Sequence, residues 1–220
     1  MADAPDAERQ AFGDWRERGT SERAELGGNY GGAVGINHLV LGVRDMGASH
    51  DFYTRVWRLE HCGTQGGPGQ GRWLRFYRSH GNTHHDLALT PVPDPGAWPL
   101  ADDGLAPRYP GLNHSAWTFA DIESWKQQAR HIVEVGWPVE FRMEHGMSHS
   151  IYVKNPDGFI TEAMYEFPRE YWVGNIEAAL QYRRIITPEE ADYLDPVEGD
   201  YPRFTADGIS NRTPDGRKLA

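Results

Sequence analysis

Two stretches of this chain repeat one pattern, and the repeat limits the fold more than any other feature. Residues 36–45 read INHLVLGVRD and residues 112–121 read LNHSAWTFAD. In each stretch an apolar residue, Asn and His open a run typical of a β-strand, and an Asp follows seven positions after the His. Each Asp stands where the N-cap of a helix is expected. The sequence therefore predicts two copies of one supersecondary unit.

The segments after each copy complete the unit. Helix-compatible apolar spacings follow both Asp residues, over residues 46–56 and 122–135. Strand-like segments come next, at residues 72–78 and 86–90 in the first copy and at residues 139–143, 150–154 and 159–165 in the second. Two βαβββ units predict an α+β fold in which a cupped mixed sheet surrounds a metal site, with the helices outside.

The pattern divides the chain into three parts. We expect a polar N-terminal arm over residues 1–33, a folded domain over residues 34–167, and a helical or irregular extension over residues 168–220. Within the extension, residues 175–184 are predicted as a helix. The sequence TPEE at residues 187–190 combines a capping box with Pro at the first helical position, which predicts the start of another helix.

Composition excludes several classes of protein. The 220 residues include 32 acidic and 22 basic side chains, a net charge of −10, which disfavours binding to nucleic acid. The single cysteine, Cys62, excludes an internal disulfide and a thiolate-rich metal site, and it favours a reducing compartment. No apolar run reaches the roughly 20 residues of a membrane span, and no secretory signal is evident at the start. We therefore expect a cytoplasmic protein with a small-molecule partner and no membrane partner.

Three side chains form the predicted metal site. Residues alternate between the faces of a strand, so His38 and His114 should lie on equivalent faces of the two repeated strands. Glu162 follows the Pro-Asp-Gly turn at residues 156–158 on a late strand. Two His and one carboxylate leave three positions open on an octahedral ion, as in iron(II) oxygenases. Taken singly, each of these residues is more often structural.

Residues 34–167 resemble the vicinal oxygen chelate superfamily, which is also called the glyoxalase, bleomycin resistance and dioxygenase superfamily. Within it, the chain resembles the type I extradiol ring-cleaving dioxygenases. His38, His114 and Glu162 fall on the metal-ligand positions of that family. The resemblance implies Fe(II), with Mn(II) as a possible substitute, and it implies a catecholic substrate that is cleaved with O2 to a muconic semialdehyde-type product.

The same resemblance suggests three catalytic residues. The segment THHDLAL at residues 83–89 is similar to the part of the family that carries its acid/base His, and this role is assigned to His85. His145 resembles the substrate-contacting His, and Tyr152 resembles the active-site Tyr, ten residues before Glu162. The seven-residue interval between His145 and Tyr152 is shorter than the family pattern leads us to expect.

Other interpretations stay open at this point. Lyases, isomerases and thiol transferases of the superfamily commonly take a fourth ligand from the strand at residues 86–90, which here reads DLALT without Glu or Gln. His85 could itself be a fourth ligand, and Glu166 is the second choice of carboxylate. A metal-free binding protein of this fold is another possibility. His149 is expected to be exposed or locally bonded, and a homodimer is the expected assembly.

Overall fold

The computed structural model describes most of the chain from residue 36 onward. The described residues are 36–81, 83–97, 111–190, 193–195, 199–213 and 216–219. The chain forms two compact units, Met1–Leu39 and Val40–Ala220. The predicted arm over residues 1–33 lies outside the described residues, and the predicted domain boundaries stay predictions.

The first repeat has the order β, α, β, β, β. Its elements are β1 (Leu39–Val43), α1 (Met46–Asp51), β2 (Glu60–Gly66), β3 (Trp73–Arg78) and β4 (Leu87–Pro91). The N-cap of α1 is Asp45, whose carboxylate accepts hydrogen bonds from the backbone N–H groups of Gly47 at 2.7 Å and Ala48 at 3.0 Å. The helix continues as one π-helical segment, Phe52–Val56. The strands form a four-stranded sheet in the order β1-β4-β3-β2.

Strand β2 was not predicted, because residues 63–71 read as a loop rich in glycine. The structure pairs β2 with β3 in antiparallel register over its whole length, with one shift in register between His61 and Gly63. A β-bulge breaks the alternation of side chains by which a strand is detected in a sequence. The backbone pairing with β3 therefore outweighs the weak strand propensity of glycine.

The second repeat has the same order of elements. They are β5 (His114–Thr118), α2 (Ile122–Glu134), β6 (Phe141–His145), β7 (Ser148–Lys154) and β8 (Ile160–Glu166). The carboxylate of Asp121 caps α2 by accepting the N–H of Ser124 at 2.7 Å. Gly136 follows the helix with a φ of +72°, a left-handed conformation that ends helices and that glycine adopts without strain. The α+β fold of two βαβββ units is thus confirmed.

The five-stranded sheet of the second repeat has the order β5-β8-β7-β6-β9. It is mixed, because β5 runs parallel to β8 whereas the remaining pairs are antiparallel. Trp125 of α2 is fully buried, and its indole N–H donates to the backbone carbonyl of Ala163 on β8 at 2.9 Å. Helix α2 therefore covers one face of this sheet. The side chains of His114, Tyr152 and Glu162 project from the opposite face.

The C-terminal extension corrects two predictions. The helix expected over residues 175–184 is shorter, α3 (Ile176–Gln181), and it is followed by β9 (Arg183–Ile186), which extends the sheet beside β6. The helix expected at Thr187 is a turn over the described residues 187–190, in which the Glu190 carboxylate accepts the N–H of Thr187 at 2.7 Å. A free sheet edge offers a row of backbone partners, which outweighs local helix propensity. A short hairpin follows, β10 (Phe204–Thr205) and β11 (Gly208–Ile209).

Candidate metal centre

His114 opens β5, and both nitrogens of its ring are engaged. Nδ1 lies 2.6 Å from Oδ1 of Asn113, and Nε2 lies 3.3 Å from Oε2 of Glu162. An amide oxygen accepts hydrogen bonds, so Nδ1 of His114 carries a proton and Nε2 is directed at the carboxylate. The hydrogen bond to Glu162 raises the pKa of His114 above its ordinary value, although partial burial opposes the shift.

Glu162 is the buried centre of the site. The residue is 5% exposed, and Oε1 accepts a hydrogen bond from the Tyr152 hydroxyl at 2.9 Å while Oε2 faces His114. Burial alone would raise the pKa of Glu162. The hydrogen bonds from the His114 ring and the Tyr152 hydroxyl outweigh that effect, so the pKa lies below its ordinary value. The carboxylate is therefore ionised at neutral pH.

Tyr152 and His145 continue the chain of hydrogen bonds behind Glu162. Tyr152 is directly opposite Glu162 in the pairing of β7 with β8, and Nε2 of His145 lies 2.9 Å from the Tyr152 hydroxyl. Because that hydroxyl donates to Glu162, it accepts from the Nε2–H of His145. Burial lowers the pKa of His145 and raises that of Tyr152, so both groups are neutral donors at neutral pH. We call these four residues, His114, Glu162, Tyr152 and His145, the Glu162 network.

The donor atoms of His114 and Glu162 fit a shared metal ion. Two ligands at about 2.1 Å from one ion and at right angles to each other are separated by about 3.0 Å. The observed separation of 3.3 Å between Nε2 and Oε2 is close to this value. An imidazole nitrogen and an ionised carboxylate are also the donor types that iron(II) and manganese(II) accept. Among the described residues, no group of three His, Cys, Asp or Glu side chains comes together as a complete metal site.

His38, the third predicted ligand, belongs to the unit Met1–Leu39. Its Nδ1 lies 2.8 Å from Oδ1 of Asn37, the same local arrangement that Asn113 gives to His114. Ligating His residues typically donate their other ring N–H to such a partner, which fixes the tautomer and the orientation of the ring. Asn37 thus fixes the orientation of the His38 ring, and the place of His38 in the metal site stays a prediction.

His85 occupies a different environment from the Glu162 network. It lies just before β4, where its ring meets Phe76 edge to face at 5.0 Å and its Nδ1 faces Nδ1 of His84 at 2.7 Å. The next residue, Asp86, fixes the turn by accepting hydrogen bonds from the N–H and hydroxyl of Ser79. The hydrogen bonds of the Glu162 network do not include His85. Its predicted acid/base role stays a prediction.

The sequence interpretation missed two features around the site. Asn37 and Asn113 orient the two His rings, and the signal was available, because Asn precedes His in both copies of the repeat. Gly146 directly follows His145, and a Cβ atom there would lie 2.4 Å from the backbone oxygen of Ala179 in α3. Only glycine allows this close approach of the C-terminal extension to the end of β6.

His149 was expected to be exposed or locally bonded, and this expectation is wrong. It is 0% exposed, and its two ring nitrogens have no hydrogen-bond partner among the described residues. The ring packs against Trp125 and Phe167, and Tyr201 of the C-terminal extension lies 5.9 Å away. Burial is the main cause that holds the pKa of His149 well below its ordinary value.

The sequence matches a model of the Glyoxalase/Bleomycin resistance protein/Dioxygenase superfamily over residues 35–163, more than half of the chain. The chain therefore belongs to this superfamily. A search of the curated proteins found no match. None of the helices in the described part of the chain has the length and apolarity that a membrane crossing requires.

Among the solved structures that are similar to this chain, one supports the same fold with a TM-score above 0.5. A glyoxylase/bleomycin resistance protein/dioxygenase domain from Frankia sp. EAN1pec matches with 19% identity and a TM-score of 0.51, covering 61% of this chain and 99% of that domain. Glyoxalase I from Leishmania major matches with 19% identity and a TM-score of 0.45, covering 60% of this chain and 86% of that enzyme. A mutant of FosX from Listeria monocytogenes, complexed with Mn(II) and 1S,2S-dihydroxypropylphosphonic acid, matches with 16% identity and a TM-score of 0.43, covering 60% and 92%.

Proposed function

We propose that this protein is a non-haem Fe(II)-dependent extradiol dioxygenase that cleaves the ring of a catecholic substrate with O2. The observation that carries the proposal is the Glu162 network. One oxygen of a buried carboxylate faces a His ring, while the other accepts from a Tyr hydroxyl that is backed by a second His. This arrangement places two metal donors beside two neutral groups, Tyr152 and His145, that hold the carboxylate in position.

His38, His114 and Glu162 would hold the metal, with manganese(II) as a possible substitute for iron(II). The bound ion would polarise the two oxygens of the diol and hold the diol and O2 at one centre. The side chains of the protein orient the ligands and supply the charge that the ion requires. Asn113 keeps the proton of His114 on Nδ1, and the ionised Glu162 supplies the negative charge that would hold the cation.

Tyr152 and His145 would contact the substrate, as the resemblance implies, by exchanging a hydrogen bond, because each donor hydrogen is engaged within the Glu162 network. The Tyr152 hydroxyl donates to Glu162, and burial raises its pKa, so it keeps its proton at neutral pH. His145 is neutral because its pKa is lowered, and it holds its proton at Nε2 against the Tyr152 oxygen. His85 would accept the proton that the diol loses on binding and return it later, a task that suits an imidazole near neutral pH.

A metal-dependent lyase, isomerase or thiol transferase of the same superfamily is less well supported. Such enzymes commonly draw a fourth ligand from the last strand of the first repeat. Here that strand is β4, Leu87–Pro91, which carries no His, Cys, Asp or Glu. A three-ligand site leaves room on the ion for both diol oxygens and O2.

The decisive experiment is anaerobic reconstitution with iron(II), followed by addition of catechol and of its 3- and 4-substituted forms in air. Oxygen uptake with a stoichiometric yellow product is the expected result. The control is the same chain loaded with zinc(II), which cannot take part in redox chemistry. A chain that binds iron(II) but consumes no oxygen with any catechol would refute the proposal. The oligomeric state follows from sedimentation of the same sample, where a homodimer is expected.

His85 provides a second test. In His85→Ala, turnover should fall by about 10²-fold or more while iron(II) stays bound, because general acid–base catalysis contributes about 10²–10⁴-fold. His80→Ala, a nearby substitution in the β3–β4 connection, should retain turnover. Unchanged turnover in His85→Ala would remove His85 from the mechanism.

A further inference from the structure

A pocket lies on the face of the first sheet opposite to Phe76. Along β3, Trp73, Arg75 and Tyr77 alternate with Leu74 and Phe76, so the two sets project from opposite faces. Phe76 contacts His85, whereas Tyr77 is buried on the face that packs against the helical segment after α1, where its ring lies 6.4 Å from that of Tyr53.

This outer pocket has a volume of about 600 Å³, within the size range of small-molecule sites. Its lining combines ring side chains, one guanidinium and the backbone of a glycine-containing loop: His50, His61, Thr64, Gly66, Gly67, Pro68, Trp73 and Arg75. None of these residues belongs to the Glu162 network. The outer pocket is therefore separate from the candidate metal centre and does not depend on the proposed function.

The charge of the outer pocket contrasts with that of the chain. The chain carries a net charge of −10, yet the pocket lining contains no Asp or Glu. Arg75 lies over the ring of Trp73, 5.4 Å from its centroid, and makes no ion pair with a carboxylate of the described residues. Arg78, three residues further along β3, forms a two-point ion pair with Glu60. Arg75, which hydrogen-bonds the Tyr77 side chain, is thus a cation that no carboxylate of the described residues neutralises by an ion pair.

The two His rings are fixed beside this cation. Nδ1 of His50 lies 2.9 Å from the Tyr77 hydroxyl, and Nε2 of His61 lies 3.1 Å from the Thr64 hydroxyl. The rings meet edge to face with centroids 5.5 Å apart. Their other nitrogens, Nε2 of His50 and Nδ1 of His61, make no hydrogen bond within the described part of the chain. Each ring therefore keeps one polar atom for a ligand.

We propose that the outer pocket binds a small aromatic carboxylate. A guanidinium presents two parallel N–H donors that match the two oxygens of a carboxylate, and a single guanidinium balances a single negative charge. A doubly charged phosphate would leave one charge unbalanced. The flat rings of His50, His61 and Trp73 offer surfaces against which an aromatic ring packs favourably.

Benzoate is the probe, and inorganic phosphate is its competitor. Calorimetric titration of the unmodified, metal-free chain should detect benzoate binding, with phosphate at least about tenfold weaker, a difference of about 1.4 kcal/mol. Arg75→Gln should weaken benzoate binding by about tenfold or more, since it removes the charged partner. Arg78→Gln, on the same strand but the opposite face, should bind as the unmodified chain does. Absence of benzoate binding, full affinity in Arg75→Gln, or phosphate binding as tight as benzoate binding would each overturn the proposal.

The ring resonances of the His residues give a test that needs no variant in the outer pocket. Benzoate should shift the signals of His50 and His61 in the unmodified chain, and it should do so equally in Glu162→Gln. Shifts confined to His114 and His145 would place the ligand at the candidate metal centre and overturn the proposal. Failure of iron-dependent oxygen uptake has no bearing on this result, so the two proposals can fail separately.

Discussion

The two repeats begin alike and end differently. Both open with an Asn whose side-chain oxygen holds Nδ1 of the next His, at 2.8 Å for His38 and 2.6 Å for His114. Both continue into a helix that is capped by an Asp. The last strands differ, because β8 carries Glu162 at a buried position, whereas β4 offers only Leu, Ala, Thr and Pro.

This difference shows what a buried carboxylate requires. An ionised carboxylate is costly to bury unless hydrogen bonds and charges compensate it. In the second repeat, His114 and Tyr152 satisfy both oxygens of Glu162, and His145 holds Tyr152 in turn. The first repeat also has the His, but its last strand, β4, carries no carboxylate. The feature that both repeats share is therefore the orientation of the His ring by Asn, and the buried carboxylate of the Glu162 network belongs to the second repeat.

The largest effect is expected from Glu162→Gln. The amide removes the only carboxylate of the Glu162 network, so affinity for Fe(II) or Mn(II) should fall by more than about 100-fold, beyond the 10–100-fold typical of outer-shell partners. Calorimetric titration with Mn(II) measures this change directly. The matched control is Glu166→Gln, an exposed carboxylate four residues further along β8, which should bind Mn(II) as the unmodified chain does. If Glu166→Gln lost the metal and Glu162→Gln kept it, the ligand would be assigned wrongly.

Tyr152→Phe should have the next largest effect, because it removes one hydroxyl and keeps the ring that stacks on Phe141. Glu162 then loses a donor to its ionised form, so its pKa rises. Metal affinity at neutral pH should fall by about tenfold, and the loss of metal on acidification should begin at a higher pH than in the unmodified chain. Titrations with Mn(II) over a pH series measure both changes. An identical pH profile would show that Tyr152 does not support the charge of Glu162.

The repeated unit, with its opening Asn-His pair and the turn before its last strand, was predictable from the sequence. The sequence signals for the repeat are local. They are the Asn-His pair, the Asp seven residues later and the Pro-Asp-Gly turn. They fixed the fold class and indicated His114 and Glu162, which the structure brings within 3.3 Å of each other. The resemblance to a family added Tyr152 and His145, and both residues are part of the hydrogen-bonded network around Glu162.

Features that depend on distant contacts could not be predicted in this way. Strand β9 exists because the edge of β6 provides partners, and helix periodicity masks it in the sequence. His149 is buried because α2 and the C-terminal extension meet over it, a contact between segments that lie 24 or more residues away along the chain. Alternation along β7 gives the face of a residue, but it does not reveal what covers that face.

The outer faces of the two repeats also differ. On the outer face of the second repeat His149 is buried, and its effect on stability can be measured. The protein keeps His149 neutral, whereas the unfolded chain protonates it below about pH 6.5, so the folded state loses stability as the pH falls through that value. Burial is the main cause, and the charges of Arg142, Arg212 and Lys218 act in the same direction. In His149→Phe this loss should disappear, a gain of about 2 kcal/mol at pH 5 relative to pH 7.

Urea denaturation of both chains at pH 5 and pH 7 measures this gain. His149→Gln separates titration from packing, because glutamine does not titrate but fills the aromatic site less well. Both variants should therefore show a weaker dependence of stability on pH, while only His149→Phe should match the unmodified chain at pH 7. A pH dependence that is unchanged in both variants would show that the neutral ring of His149 does not govern stability in acid.

The two Asn residues test the comparison between the repeats most directly, through effects on metal affinity that are about tenfold for each single variant. In Asn113→Ala, the ring of His114 loses the partner that fixes its tautomer, so Mn(II) affinity should fall by about tenfold, the low end for such partners. Asn37→Ala should cause an equal loss if His38 is a ligand of the same ion. The double variant should then lose about 100-fold, since the two partners act on separate rings. A loss in Asn113→Ala alone would mean that the first repeat keeps the Asn-His arrangement without using it, and that the metal takes its remaining donor from elsewhere.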